Sequence, residues 1–208
     1  MKKLIDYKVI FWDFDGVIMD SMPIRNKGFE LVLSEYPKNE VDALMSYHKA
    51  NGGLSRYAKF RYFFEVIKNE SVTDEKIAVL ANSFSEIMLQ HLINPALLIA
   101  DSVAYIQKNY IAQQMHIVSA SDGVELNKIC GGVYIQQYFK TIQGSPTPKK
   151  QLVNSIIQQF NYSLEDIVLI GDSANDYEAS SVNKIDFLGY NNPSLAALAP
   201  YIEAFSSL

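Results

Sequence analysis

A chain of 208 residues, 49% hydrophobic and 12% aromatic, has the make-up of an ordinary globular protein and is long enough for one good core plus a smaller appendage. Its net charge of -5, with no basic stripe, argues against a nucleic-acid surface, and no run of roughly 18 apolar residues is present to span a membrane. The single cysteine, Cys130, excludes an internal disulfide, and Asp6 and Lys8 cut short the apolar start before it could serve as a signal peptide, so a cytoplasmic protein is expected.

The first element is a strand. Val9-Ile10-Phe11-Trp12 is four apolar residues in a row, the pattern of a central parallel strand covered on both faces. It runs into Asp13-Phe14-Asp15-Gly16, where Gly16 can take the backbone angles that end a strand. Two carboxylates one residue apart repel each other, so the arrangement is favourable with a cation between them or with one of them protonated. The plainer alternative is that both acids only end the strand and cap the next turn.

Helices follow. The pattern predicts one from Ile24 to Tyr36 stopped by Pro37, a second from Val41 to Tyr47 leading to the loop Asn51-Gly52-Gly53, and a third capped by Ser55. The fourth, Thr73 to His91, carries Ile77, Leu80, Ala81, Phe84, Ile87 and Met88 at helical spacing. No strand interrupts them. Residues 21–99 are therefore expected to form a helical unit of their own, with 1–20 and 100–208 making an α/β core. The aromatic run 57–64 reads as the interior of that unit rather than a platform for bases.

Alternating βα rhythm resumes near position 100, with a helix over Val103–Tyr110. A strand from His116 ends in Ser119-Ala120-Ser121-Asp122, before a helix starting at Gly123 or Val124. A third strand is expected near Lys140–Gln143, then a helix from Lys149 to Phe160, and a buried strand Val168–Ile170 running into Gly171-Asp172-Ser173-Ala174-Asn175-Asp176. Phe187–Gly189 reads as a last strand and Leu195–Phe205 as a final short helix. In a parallel sheet all strand carboxyl ends lie on one edge, so the two acid pairs, the hydroxyl cluster and a lysine at a helix start converge there.

The segment DFDGVIMDS at positions 13–21 resembles the first motif of the haloacid dehalogenase-like (HAD) hydrolases, in particular the phosphoglycolate phosphatase and β-phosphoglucomutase branch, and the resemblance extends over 115–180. It implies a Rossmann-like parallel sheet sandwiched by helices, an inserted helical cap at 21–99, and a Mg²⁺-dependent phosphatase working through an aspartyl-phosphate. By this resemblance Asp13 is the nucleophile and Asp15 the general acid that later serves as base. Asp13 and Asp172 bind Mg²⁺ directly, joined by the Asp15 carbonyl and by Asp176 through water. Ser119 binds a phosphate oxygen, with the amides of Ala120 and Ser121 at a helix start. A lysine neutralises the phosphoryl group; Lys149 and Lys150 both stand at the right place, and spacing favours Lys149.

In the cap, Gly53-Leu54-Ser55-Arg56 is similar to the substrate-recognition loop of the mutase-like members, which gives Arg56 the substrate's distal end, ahead of Lys59, Arg25 and Lys49. Mutases of this branch carry a histidine five residues after the aspartate that corresponds to Asp20. Arg25 stands there instead, which sets phosphatase above phosphosugar mutase. A catalytically idle binding protein on the same fold is the reading from outside enzymology, and the intact acid pairs speak against it. The expected partner is a small phosphorylated metabolite, with no nucleic acid and no membrane, for a monomer or homodimer. His48, His91 and His116 are isolated, and Cys130 has no nearby histidine, so neither a zinc site nor a cysteine nucleophile has support.

Overall fold

The computed structural model describes residues 2–207. The apolar run of β1 (Val9–Trp12) lies at the centre of a six-stranded parallel sheet with β2 (Gln114–Asp122), β3 (Thr141–Ser145), β4 (Ile167–Gly171), β5 (Asp186–Tyr190) and β6 (Tyr201–Ile202). Strand order is β3-β2-β1-β4-β5-β6, and Ile10 pairs with Met115 on one side and Val168 on the other.

Strand alternation supplies two cores. Val9, Phe11 and Leu169 point to one face and pack on Leu152, Val153, Ile156 and Ala179 of α7 (Lys149–Phe160) and α8 (Ala174–Asn183). Ile10, Trp12 and Ile117 point to the other and meet Ile106, Leu126 and Ile129 of α5 (Ala100–Asn109) and α6 (Gly123–Gly132). Each fully buried large side chain contributes roughly 1.5–3 kcal/mol. With both faces covered by helices, the chain has the doubly wound α/β fold read from its sequence.

Between β1 and α5 the chain builds only helices: α1 (Met22–Val32), α2 (Lys38–Ala50), α3 (Arg56–Tyr62, continued by a π-helical turn Phe63–Ile67) and α4 (Asp74–Leu92). Ser55 and Thr73 cap α3 and α4 through the amides of Ala58 and Lys76. Phe29, Phe60 and Phe84 meet at centroid distances of 4.6–6.3 Å, so the aromatic run is interior packing here. Among the described residues no helix is long and apolar enough to cross a membrane.

One expectation is overturned. Residues 195–205 do not form an α-helix: a 3-10 turn (Pro193–Ala197) leads into β6 and a second 3-10 turn (Phe205–Ser207). Pro200 lacks an amide proton and its ring would strike the preceding helical turn, whereas its carbonyl accepts from Gly189 at 2.9 Å and begins the edge pairing.

Candidate active site

From β1 the chain goes to β2 and β3 on one side, then returns to place β4 on the other, so the carboxyl ends of β1 and β4 flank the point where strand order reverses. Open α/β sheets bind ligands at such a crevice. The Asp13 amide donates to the Ile170 carbonyl at 2.9 Å, which ties the two strand ends together. Gly16 follows with φ +79°, and a Cβ there would lie 2.1 Å from Asp172 Oδ2, so both the turn and the approach of Asp172 require glycine.

Asp13, Asp172 and Asp176 each offer a carboxylate oxygen within 4.8 Å of the others. Lys149, the first residue of α7, places Nζ 2.7 Å from Asp13 Oδ1 and also bonds Asp176 Oδ1. A cation is unfavourable at a helix N-terminus, and these two buried acids compensate it. Burial works against the Lys149 ammonium, but Asp13 and Asp176 outweigh it and raise its pKa. Burial and then repulsion from Asp176 push Asp172 up to about 7, and the same two influences raise Asp13. Three carboxylates against one ammonium leave negative charge unbalanced, and their hard oxygen donors fit Mg²⁺, which takes one or two carboxylates directly and keeps several waters.

Asp176 also accepts from the Ser173 amide at 3.1 Å, completing a capping box at the start of α8. The capping role weighed for this acid and its place in the cluster therefore coexist. The Asp15 carboxylate lies outside the cluster, facing the helical insertion. It accepts from Arg25 Nε at 2.5 Å, from Ser121 Oγ at 2.5 Å and from Ser21 Oγ. Burial pushes its pKa up, yet the Arg25 charge and these hydrogen bonds together hold it below the ordinary value.

A cavity of about 360 Å³ is lined by Asp13, Asp15, Ser119, Ala120, Lys149 and Asp172, bringing together residues far apart in sequence. Lys150 is turned outward toward Glu178 at 3.5 Å. Arg56 does not reach this cavity. It is 4% exposed, 2.6 Å from Glu125 Oε2 and 2.7 Å from Ser85 Oγ, over the Phe84 ring.

The amides of Ala120 and Ser121 are not at a helix start: β2 runs on to Asp122, whose carboxylate caps α6 from the amides of Val124 and Glu125. The Ser119 hydroxyl accepts from the Ser121 amide at 3.1 Å. Strand pairing extends to Asp122 because that residue still faces Ser145 across a bulge.

Sequence reading missed Glu125, which joins Arg25 Nη1 at 3.1 Å to Arg56 and so links α6 to two helices of the insertion. Its signal was available: with Leu126, Ile129 and Cys130 it completes the inward stripe of α6, and an acid in such a stripe needs a partner.

Over residues 9–190 the chain matches the family model for haloacid dehalogenase-like hydrolase. A phosphoglycolate phosphatase from Colwellia psychrerythraea is 23% identical over 200 residues, covering 90% of this chain and 85% of that protein. Similar solved structures include CbbY from Rhodobacter sphaeroides in complex with phosphate (12% identity, 97% and 96% of the two chains, TM-score 0.76). Another is β-phosphoglucomutase from Clostridium difficile (13% identity, 97% and 93%, TM-score 0.77). At such identities the structural likeness carries the fold alone. The family match spans β1 through β5 and takes in both acid motifs at the strand ends, and on that match the chain belongs to the haloacid dehalogenase-like hydrolases.

Proposed function

We propose that the protein is a Mg²⁺-dependent phosphatase that hydrolyses a phosphomonoester of a small metabolite through an aspartyl-phosphate on Asp13. The observation that carries this reading is the buried meeting of Asp13, Asp172, Asp176 and Lys149 at the reversal of strand order. When bound there, Mg²⁺ supplies charge neutralisation for a phosphoryl group. Asp13 and Asp172 are its direct protein ligands on this reading, with Asp176 holding Lys149 and acting through water.

Lys149 and the Ser119 hydroxyl hold the phosphoryl oxygens. A carboxylate oxygen of Asp13 attacks phosphorus as the bond to the leaving oxygen breaks, and the Asp15 carboxyl gives that oxygen its proton. Water then attacks the aspartyl-phosphate, Asp15 takes the water's proton, and Asp13 is regenerated with release of phosphate. The hydrogen bonds around Asp15 favour its ionised form, the form the second half needs. Residues 21–99 act as the cap, and the contact of Tyr57 Oη with Asp122 at 2.7 Å supports closure over the cleft. A phosphoglycolate phosphatase among the relatives and a phosphate complex of the CbbY neighbour agree with this class of substrate.

Hydrolysis of p-nitrophenyl phosphate with Mg²⁺, lost on chelation and recovered on adding Mg²⁺ back, tests the reading. Asp13→Asn should lower turnover at least about a thousandfold with the fold retained. A wild-type rate from that variant removes Asp13 from the nucleophile's role.

A further inference from the structure

The acid cluster is held from behind by the end of β5. That strand pairs with β4 as far as Gly189 opposite Gly171, and just beyond it the chain sets two asparagines against the ends of β1 and β4. Asn192 Nδ2 donates to the Asp172 carbonyl at 2.7 Å, and Asn191 Nδ2 donates to the Gly16 carbonyl at 2.8 Å. Asn191 has φ +54°, in the left-handed region that asparagine enters more readily than most residues, so its backbone and its amide serve the same turn.

Each bond fixes a peptide plane next to an acid. In a trans peptide the carbonyl and the N–H point in opposite directions. The peptide between Asp172 and Ser173 is therefore held at both ends: its carbonyl accepts from Asn192, and its N–H donates to Asp176 Oδ2 at 3.1 Å. Gly16 is also held on either side, since its N–H donates to the Met19 carbonyl at 2.8 Å and its own carbonyl accepts from Asn191. These two stretches touch: a Cβ on Gly16 would lie 2.1 Å from Asp172 Oδ2, so a small rotation of either one moves that carboxylate. Asp13, Asp172 and Asp176 repel one another at this separation, and a backbone free to turn would let them spread before a cation arrives.

Resting on the phosphatase reading above, we propose that Asn191 and Asn192 are positioning residues for the divalent-cation site. They hold Asp172 and the Asp15–Gly16 turn in place, so the acids need not be gathered when the cation binds, and the ordering cost of binding falls. Asn192 lines the same cavity as Asp13 and Asp172, but its donor is taken by a backbone carbonyl and its Oδ1 accepts from the Ser194 amide and hydroxyl at 3.3 and 2.7 Å. It acts through the acids and not on the substrate.

Isothermal titration calorimetry of the full chain with Mg²⁺ alone tests this, alongside Tm and hydrolysis of p-nitrophenyl phosphate. Asn191→Gly keeps the left-handed backbone and removes the donor. Asn192→Asp keeps the acceptor for Ser194, removes the donor and adds a negative charge that by itself favours a cation. Each should weaken Mg²⁺ binding about threefold to tenfold, the range expected for one lost hydrogen bond, and the effect should be larger in the Mg²⁺ concentration for half-maximal hydrolysis than in the plateau rate. Asn161→Gly, at φ +53° just past the end of α7, is the control and should bind Mg²⁺ as the wild type does. Wild-type or tighter Mg²⁺ affinity in either variant, with or without a fall in Tm, overturns the role assigned to that asparagine and leaves the phosphatase reading in place. Weakened Mg²⁺ binding in both variants of a protein that hydrolyses no ester supports the positioning role and overturns the phosphatase. No Mg²⁺ binding by the wild-type chain overturns both.

Discussion

Replacing Glu125 with glutamine keeps the side-chain shape and removes the one negative charge that Arg25 and Arg56 share. The carboxylate is fully buried, and the guanidinium side chains are 6% and 3% exposed. Arg25 retains Asp15 at 2.5 Å, so the loss falls on Arg56, which keeps only the neutral acceptors Ser85 Oγ at 2.7 Å and the Ala81 carbonyl at 3.4 Å. Breaking a buried pair from one side costs about 3–5 kcal/mol, because the remaining charge stays buried and uncompensated. At roughly 2–4 °C per kcal/mol for a chain of this size, Tm should fall on the order of 10 °C. Thermal and urea melts followed through Trp12, which is buried against Tyr105 and Phe205, measure this. Glu178→Gln is the control: its pair with Lys150 is 3.5 Å long and half exposed on both sides, so it should change stability by less than about 1 kcal/mol. If the Glu125 variant melts where the control does, the buried ion cluster does not anchor the insertion to the core, and the reasoning is wrong.

Lys149→Met should reduce turnover about a hundredfold or more, since it removes the ammonium beside Asp13, the proposed nucleophile, while Lys150→Met should stay within about twofold of wild type in the same phosphatase assay. Lys59→Met should stabilise the protein in a pH-dependent way. The folded pKa of Lys59 lies near 7 and the unfolded value is 10.5, so between these limits the unfolded chain binds more protons and stability rises with pH. Below pH 7 both states are protonated and the full penalty of the buried charge is present. The substitution should therefore add about 2–4 kcal/mol at pH 6, shrinking toward pH 10, as read from urea melts at both pH values. No gain at pH 6 would show that burial does not destabilise the Lys59 ammonium beyond what the Gly52 carbonyl offsets.

Strand positions and acid motifs were legible because each rests on local chemistry: an apolar run, then glycine or aspartate where the backbone must turn. The same local reading misjudged the C-terminal segment. Leu195, Leu198, Ile202 and Phe205 recur at helical spacing, but the pattern crosses Pro200, and a tertiary partner, the free edge of β5, decided the outcome. It also placed the amides of Ala120 and Ser121 at a helix start, although pairing with β3 keeps them in the strand as far as Asp122. Lys149 was separable from Lys150 by helical phase, since 149, 152, 153 and 156 form the inward stripe of α7.

The charges inside the cleft were half legible. Arg25 lies on the buried side of α1 with Gly28 and Phe29, Arg56 and Lys59 on that of α3 with Phe60, and Glu125 on that of α6. Each breaks the amphipathic pattern of its helix, and a charge in an apolar stripe demands an opposite charge. Phase tells which residues face inward but not which helices meet; Arg25 and Glu125 are 100 residues apart. Once the fold joins them, the balance can be drawn, and it fails at both ends in opposite senses. Three carboxylates meet one ammonium at the ends of β1 and β4, while three cations meet two carboxylates beneath the insertion. The first imbalance suits a cation, and in the second the Lys59 ammonium rests on the Gly52 carbonyl rather than on an acid. On the proposed phosphatase reading, a phosphomonoester dianion would be repelled from the acid end until a divalent cation neutralised it. The opposite imbalances lie on either side of Asp15, whose side chain lines both the cavity beside Asp13 and a smaller one beside Arg25 and Lys59, so the cleft carries a charge gradient that only the assembled fold reveals.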